Sequence, residues 1–538
     1  MNGPDKDSVP AGWVLATLGQ VQLDLAQTVD PSRFPDERFE LYSVPSYEHG
    51  LPELVTGKAI GSAKQTVDQN VVLLCKINPR INRVWVVGSQ TGNRKIASSE
   101  WIPFFPLASL EPRFLAHFLR QNVVRDFLAG NASGVGGSLM RVRAATFRDF
   151  PFPLAPLPEQ QRIGDTLDEL LSDLDAGVAA LERVRSKLKL YRAAVLKAAV
   201  EGALTAEWRK EHPEPASELL KHILAERRRR WEEDQLRKFK EKGREPPKGW
   251  KAKYKEPVAP GRTDLPPLPE GWCWTSLDAL IVEGPQNGVY LPSTLYGRGV
   301  EILRIDDFQN GWIRPREDLK RVEANSDVIA TYALHRRNLV INRVNSMTHL
   351  GKCCLVADGF SGVLFESNMM RLKIAATANA RYVEYYLRSE TGRHRLTKDA
   401  KWAVNQASIN QEDVKRTPVP LPPLHEQDAI AEAVEDQLSI IDHVESDLAA
   451  KRNSAQALRQ SIMRAAIAGK LVPQDPNDEP ASELLKRITS EREQRLREAA
   501  AAKKLNDQVY RRARKSSGRI PRAKRGRKEQ NHGRIANR

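Results

Sequence analysis

The longest ordered pattern of apolar and polar positions lies in two stretches of about forty residues each. In the first, Leu167, Leu174, Leu181, Leu188 and Val195 return every seven positions, with Leu171 and Val178 opening a second stripe beside them. In the second, Val434, Ile441, Leu448, Ala455 and Ile462 keep the same interval, and Leu438 matches Leu171. Glu445 stands where the first stretch has Val178, so the second stripe is weaker there. Apolar residues at this interval predict helices able to pair along one seam. A helix of about 40 residues is roughly 60 Å long, too long to be the core of one small domain.

Each stretch follows the same proline-rich segment, PLAPLPEQQRI at 153–163 and PLPPLHEQDAI at 420–430. Pro151, Pro153, Pro156 and Pro158 keep the chain extended and stop the preceding strand from running into the helix. Pro158 suits a first helical position, where a missing N–H costs nothing. Glu159 and Glu426 then put negative charge in the first turn, favourable by about 0.3–1 kcal/mol.

The repetition extends further. PAGWVLATLG at 10–19 aligns with PEGWCWTSLD at 269–278, and PRFLAHFLR at 112–120 with ARYVEYYLR at 380–388, each of the latter predicting a short amphipathic helix. EPASELLKHI at 214–223 and EPASELLKRI at 479–488 differ only at His222 and Arg487. Between these markers, residues 20–110 and 280–380 are unlike. Duplication with even drift would not spare the helices so selectively. Helices that meet a repeated or two-fold symmetric partner, and domains that each meet something different, account for the pattern better.

Composition adds a class. The chain has 538 residues, suggesting about three or four structural units. A hydrophobic fraction of 41%, a charged fraction of 28% and a mean hydropathy of −0.51 describe a soluble protein. No run approaches the roughly 18 apolar residues of a membrane span, and MNGPDKDSVP lacks the features of a signal peptide. The cytoplasm is the expected compartment. Cys75, Cys273, Cys353 and Cys354 lack the spacing of a zinc knuckle and read as buried thiols. The formal charge is +16, but residues 511–538 hold twelve Lys or Arg against one acid. That tail is expected to be disordered, either solubilising the chain or attracting phosphates without reading bases.

Candidate chemistry concentrates between apolar runs in the divergent regions. VVLLCKINPRINRVWVV at 71–87 carries Lys76, Asn78, Arg80, Asn82 and Arg83, and NLVINRVNSMTHLGKCCLV at 338–356 carries Asn342, Arg343, Asn345, Ser346 and Lys352. EILRIDDFQNGW at 301–312 adds Arg304 and Gln309. Strand, basic-amide loop, strand is a form suited to base edges: Arg fits guanine, and Asn or Gln fits adenine, in the major groove. For any single residue the commoner use is to hold a turn or contact a phosphate. Arg227 to Arg230 lie beside Glu232, Glu233 and Asp234, which favours a solvated helical face.

Signs of catalysis are weak. NPR at 78–80 is not the N/D-P-P-Y/F of an adenine methyltransferase, GVGG at 134–137 follows no strand-to-helix pattern, and no Walker A sequence occurs. Asp306, Asp307, Asp318 and Lys320 fit a loose nuclease pattern, but among 68 acidic and 84 basic residues such a match is expected by chance. Catalysis is therefore not expected on this chain, whose basic-amide loops suit the reading of DNA. The alternatives are a self-contained metal-dependent DNA nuclease using the Asp306, Asp318 and Lys320 set, or a coiled-coil scaffold whose globular ends bind proteins.

The ordered set of motifs, met twice between residue 10 and about 505, resembles the specificity subunit of Type I restriction-modification enzymes. The carriers are the two proline-rich junctions, the Gly-Trp pairs at 12–13 and 271–272, and EGALTAEW at 201–208. The second candidate loop departs from the family in having Arg337-Asn338 where Gly-Asp is usual. The resemblance implies an α+β fold: two globular α/β target recognition domains joined and separated by two long antiparallel helices that form a coiled coil, as a pseudo-two-fold repeat. The implied segments are a first target recognition domain at 1–152, a central helical spacer at 153–250, a linker at 251–268, a second recognition domain at 269–419, a distal helical region at 420–508 and the basic tail at 509–538. The resemblance also implies double-stranded DNA, two methyltransferase subunits and two restriction or motor subunits as partners. No membrane is involved. This chain would hold no cofactor, with S-adenosylmethionine, ATP and Mg on the partner subunits.

Overall fold

The computed structural model describes residues 9–22, 27–105, 107, 109–134, 140–258, 260, 265–346, 349–403 and 406–516. The two seven-residue patterns form single α-helices of 44 residues, Leu157–Val200 and Leu424–Ile467. Contacts divide the chain into two compact units, residues 1–179 with 452–538, and residues 180–451. Each long helix thus contributes one segment to each unit.

In the first unit the recognition domain closes on itself at its ends. Val14–Thr17 pairs antiparallel with Pro151–Leu154, so the chain returns to its starting strand immediately before the long helix. This two-stranded ribbon tolerates Pro151 and Pro153, because each strand has a free edge where a missing N–H leaves no ladder bond broken. Between these strands lie a five-stranded sheet, in the order Gln27–Val29, Lys64–Thr66, Arg94–Ala97, Arg38–Tyr42, Glu53–Thr56, and a three-stranded sheet centred on Val72–Cys75. The amphipathic helix Pro112–Leu119 buries Phe114, Leu115, Phe118 and Leu119. Phe118 meets Phe152 of the closing strand edge-on at 4.9 Å.

The second unit repeats the frame around a different interior. Cys273–Ser276 pairs with Pro418–Leu421. Inside are a four-stranded antiparallel sheet, in the order Ile281–Asn287, Met369–Ile374, Asn338–Asn342, Cys353–Leu355, and a three-stranded sheet, in the order Val344–Asn345, Gln406–Ser408, Lys401–Ala403. The closing helix Ala380–Arg388 has Tyr382 and Tyr386 where the first has Phe114 and Phe118. Both hydroxyls donate to carbonyls of the closing strand, Tyr382 to Pro420 at 2.7 Å and Tyr386 to Pro418.

The helix segments run antiparallel within each unit. In the first, Arg162 reaches Asp478 and Asp175 meets Arg459. In the second, Arg192 meets Asp442 and Glu445, while Thr205 and Arg209 just beyond the helix reach Glu426. The apolar seam is used unevenly. Leu167 joins the first unit's core, and Val195, Val434 and Ile441 join the second's, with Ile462 and Leu188 packed against them. Leu174, Leu181 and Leu448 are half-buried outside those clusters. Glu445 does not merely weaken the second stripe: it accepts from Arg192, whose side chain is only 8% exposed.

Two expectations need correction. The helix Ala481–Ser516 continues into the basic segment expected to be disordered from 509, and residues from 517 on lie outside the described ones. The first residues of the expected linker 251–268 also pack on the helix before it. Trp231 of the helix Ala216–Glu241 stacks on Trp250 with ring centroids 5.8 Å apart, and Lys251 pairs with Glu232 at 2.8 Å. The neighbouring arginines behave as surface charge: Arg229 and Arg230 pair with Glu226 one turn away. Arg227 instead reaches Asp278.

Arg192 sits at a seam position, so removing it strands two carboxylates beside apolar neighbours. Arg192→Ala is expected to cost about 3 kcal/mol, the low end for a broken buried pair because the carboxylates are partly solvated. Denaturant unfolding of the full chain would measure it, and a loss below about 1 kcal/mol, the range of a surface pair, would show that the cluster does not stabilise the seam.

Candidate nucleic-acid interface

The repeated motifs meet in one joint per unit. Trp13 Nε1 donates to Glu159 Oε2 at 2.9 Å, and Trp272 Nε1 donates to Glu426 Oε2 at 2.8 Å. Both carboxylates are buried, so the interaction is more than charge in a helical first turn. The next residue completes the clasp. Gln160 accepts from Glu111 N at 3.0 Å and donates to Ala155 O at 2.8 Å, and Gln427 accepts from Asn379 N at 2.9 Å and donates to Pro422 O at 2.9 Å. Each glutamine therefore ties the closing helix of the recognition domain to the start of the long helix.

A third element docks on each joint. Gly12 and Gly271 take φ of 81° and 82°, a backbone conformation that favours glycine. Their carbonyls accept from Ala481 N at 2.8 Å and Ala216 N at 2.7 Å, the alanines of the two EPASELL segments. The segment after the first long helix thus secures the start of the second domain, and the one after the second helix secures the first. The joints differ at their carboxylates. Glu426 also accepts from Thr205 at 2.7 Å and Arg209 at 2.8 Å. Glu159 Oε1 has no hydrogen-bond partner, and burial raises the pKa of this carboxyl above the usual glutamate value.

With the frame fixed, the candidate reading residues fall into distinct environments. In the first domain, Lys76 follows Val72–Cys75 and its backbone is pinned on both sides, N to Glu100 O at 2.9 Å and O from Val142 N at 3.0 Å. Its side chain lines a cleft of about 930 Å³ with Arg141, Arg143, Arg148 and Arg492. Asn78 and Asn82 both take φ of 50° at the two ends of the turn Pro79–Ile81. Asn82 donates to Leu119 O at 2.9 Å, and Arg83 pairs with Glu48 at 2.9 Å. Asn78, Asn82 and Arg83 therefore hold the loop, while Arg80 is exposed at its tip.

In the second domain, Asn342 ends the strand Asn338–Asn342 fully buried, so its amide cannot reach a base edge as the sequence pattern suggested. The apolar run simply extends one residue further inward than its polar end implied. Arg343 donates to Ser367 O at 3.2 Å, Asn345 Oδ1 accepts from Ser346 N at 2.7 Å, and Ser346 Oγ lies 3.0 Å from His349 Nδ1. Arg304 pairs with Glu366 at 3.3 Å. Lys352 lies 4.9 Å from the centroid of the Phe308 ring, and burial lowers its pKa below the usual lysine value. It lines a cleft of about 710 Å³ with Gln309, His349, Lys189, Arg388 and Arg393. Arg388 is partly neutralised by Glu384.

Of the acids in the loose nuclease pattern, Asp307 is used otherwise. Asp307 pairs with Arg314 at 3.2 Å and accepts from Arg304 N at 2.8 Å. Among the described residues, no three His, Cys, Asp or Glu side chains gather in a way that could hold a metal ion. Of the glycine-rich 134–137, residues 135–137 lie outside the described residues.

The same regions match known proteins. The model of the Type I restriction modification DNA specificity domain matches at residues 89–183 and again at 301–449, each match running from a recognition domain through its joint into a long helix. The chain thus carries two matches to the DNA specificity domain of Type I restriction enzymes. It is 24% identical over 389 residues to the EcoKI specificity subunit of Escherichia coli K12, covering 70% of this chain and 71% of that one. It is 26% identical over 397 residues to the StySPI specificity subunit of Salmonella potsdam, covering 72% and 73%. A solved chain from work on complex assembly and conformational transition of the type I R-M system shares the fold, with a TM-score of 0.57 at 18% identity, over 87% of this chain and 100% of that one.

The departure from the family's usual pattern at Arg337 has a structural cost. Arg337 takes φ of 63°, which a side chain resists and the family's usual glycine does not. Arg337→Gly is expected to stabilise the chain by about 1 kcal/mol in denaturant unfolding, and a destabilised variant would refute the strain. At the joints, Trp13→Phe removes the only side-chain hydrogen-bond donor to Glu159 among the described residues, whereas Trp272→Phe leaves Glu426 with Thr205 and Arg209. Trp13→Phe should therefore cost about 2–3 kcal/mol and Trp272→Phe roughly half that. Equal losses in denaturant unfolding would show that the extra donors do not matter.

Proposed function

We infer that the chain is the DNA-recognition subunit of a Type I restriction-modification system, reading a bipartite target with one half-site per recognition domain. The observation that carries this reading is the pair of matched joints, each fastening an unlike domain to a like helix. A frame that repeats while its contents differ suits two different DNA sequences met by two equivalent partners. The exposed Arg80 tip and the clefts lined by Lys76 and Lys352 supply positive charge next to the polar loops, as phosphate positioning beside base reading requires.

On this reading the chain itself catalyses nothing. Two methyltransferase subunits dock on the repeated helices, and two restriction subunits join for cleavage. S-adenosylmethionine, ATP and Mg act on those partners, and the assembly works in the cytoplasm. Among the described residues, no helix is long and apolar enough to cross a membrane.

Replacing residues 20–145 with the first domain of another family member tests the division of labour. Methylome sequencing is expected to find one half of the target changed and the other intact, and a target altered on both sides would refute the assignment. Separately, Lys352→Ala should weaken binding to all duplexes alike and reduce the slope of log affinity against log salt by about 1.

A further inference from the structure

The second domain carries an exposed indole that its core does not use. Trp402 is 72% exposed in the strand Lys401–Ala403. Its place in the sheet is informative. Trp402 lies opposite Ala407, and Ala407 lies opposite Asn345. Directly opposed residues of antiparallel strands point to the same face, so Trp402 stands on the face of Asn345, next to the candidate reading loop. The sequence leading to Trp402 is mostly positive: Arg393, Arg395, Lys398 and Lys401 against Glu390 and Asp399. Lys401 is exposed and has no ion pair among the described residues.

The first domain has isolated bridges at the matching place. Ser133 bridges to Arg141, and Arg141 bridges to Ile77 of the first reading loop. Counted from the closing helices at 112–120 and 380–388 without a gap, Gly134 occupies the position of Trp402. One scaffold thus presents glycine in one reader and tryptophan in the other, a difference without a packing reason because the indole is not buried.

We propose that Trp402 is a specificity-determining DNA contact of the second half-site, its indole stacking on a base or wedging a base step while Lys401 engages the adjacent phosphate. This rests on the DNA-recognition reading above. Apolar and aromatic side chains inserted beside basic ones partly unstack DNA, and the energy depends on which step is opened. Base–aromatic stacking gives the expected size of the effect.

The test uses the full chain assembled with its methyltransferase partner, on duplexes carrying the target found by methylome sequencing. Trp402→Ala is expected to weaken binding to that target about 5- to 100-fold, with base preference relaxed in one half-site only, and Trp402→Phe to restore most of the affinity. The unfolding midpoint should stay unchanged, separating a lost contact from a damaged fold. Wild-type affinity and preference in Trp402→Ala would overturn the proposal. So would unchanged DNA binding with loss of the methyltransferase subunit, which would make Trp402 a protein-docking residue. A wild-type assembly without any sequence preference would instead bring down the DNA-recognition reading itself, and the proposal with it.

Discussion

A buried carboxylate that accepts from a tryptophan indole holds each recognition domain to its helix, and most of the repeated sequence exists to make that bond possible. Burying Glu159 or Glu426 is costly unless donors face it. The indole supplies one from the strand that opens the domain, so the bond closes a loop of chain well over a hundred residues long. The following glutamine satisfies backbone groups on two further segments, and the glycine before the tryptophan offers its carbonyl to the alanine of an EPASELL segment. Four separated motifs thus share one small volume. A substitution in any of them removes a bond from the same joint, which accounts for their recurrence in both halves.

The same logic applies along the helices, where charge fixes what leucines alone would leave open. Half-buried leucines at seven-residue intervals pack in more than one register, and polar groups at seam positions select one. Arg192 with Asp442 and Glu445 serves in the second unit, and Asp175 with Arg459 in the first. Asp442 has a further role: it accepts from Trp312 Nε1 at 3.0 Å, in the hairpin that begins with Phe308 and Gln309. The register of the second helix therefore positions the hairpin whose Gln309 lines the basic cleft.

The repeat, the long helices and the closing helices were legible because their information is periodic or duplicated. The joint was only half legible. PEQ shows a helix start, and the favourable first-turn charge of Glu159 is a sufficient local reason for it, yet its partner Trp13 lies 146 residues away. Two copies of the same pair of motifs were the available signal that they touch. The candidate reading residues were least legible, since an asparagine looks alike whether it faces a base or shapes a turn. Asn82 caps a 3-10 turn in the left-handed conformation, and Asn342 is buried at the end of a strand. Trp402 carries no signal of its exposure, since a lone tryptophan in a sequence reads as core.

The divergence between the two domains has a mechanical basis in how their loops are held. Backbone groups carry out much of the fastening: Lys76 N and O are bonded to Glu100 and Val142, Asn342 N and O to Lys352 and Gly351, and Arg343 O to Ile409 N. A loop anchored through its main chain keeps its path when exposed side chains change, because the bonds that fix it do not depend on side-chain identity. The joint is the opposite case, since its bonds run through an indole, a carboxylate and a carboxamide that no other residues replace. The exposed Arg80 and Trp402 can then change without disturbing the frame, whereas Trp13, Glu159 and Gln160 admit little change. The division between constant edges and variable middles follows from where the hydrogen bonds are made.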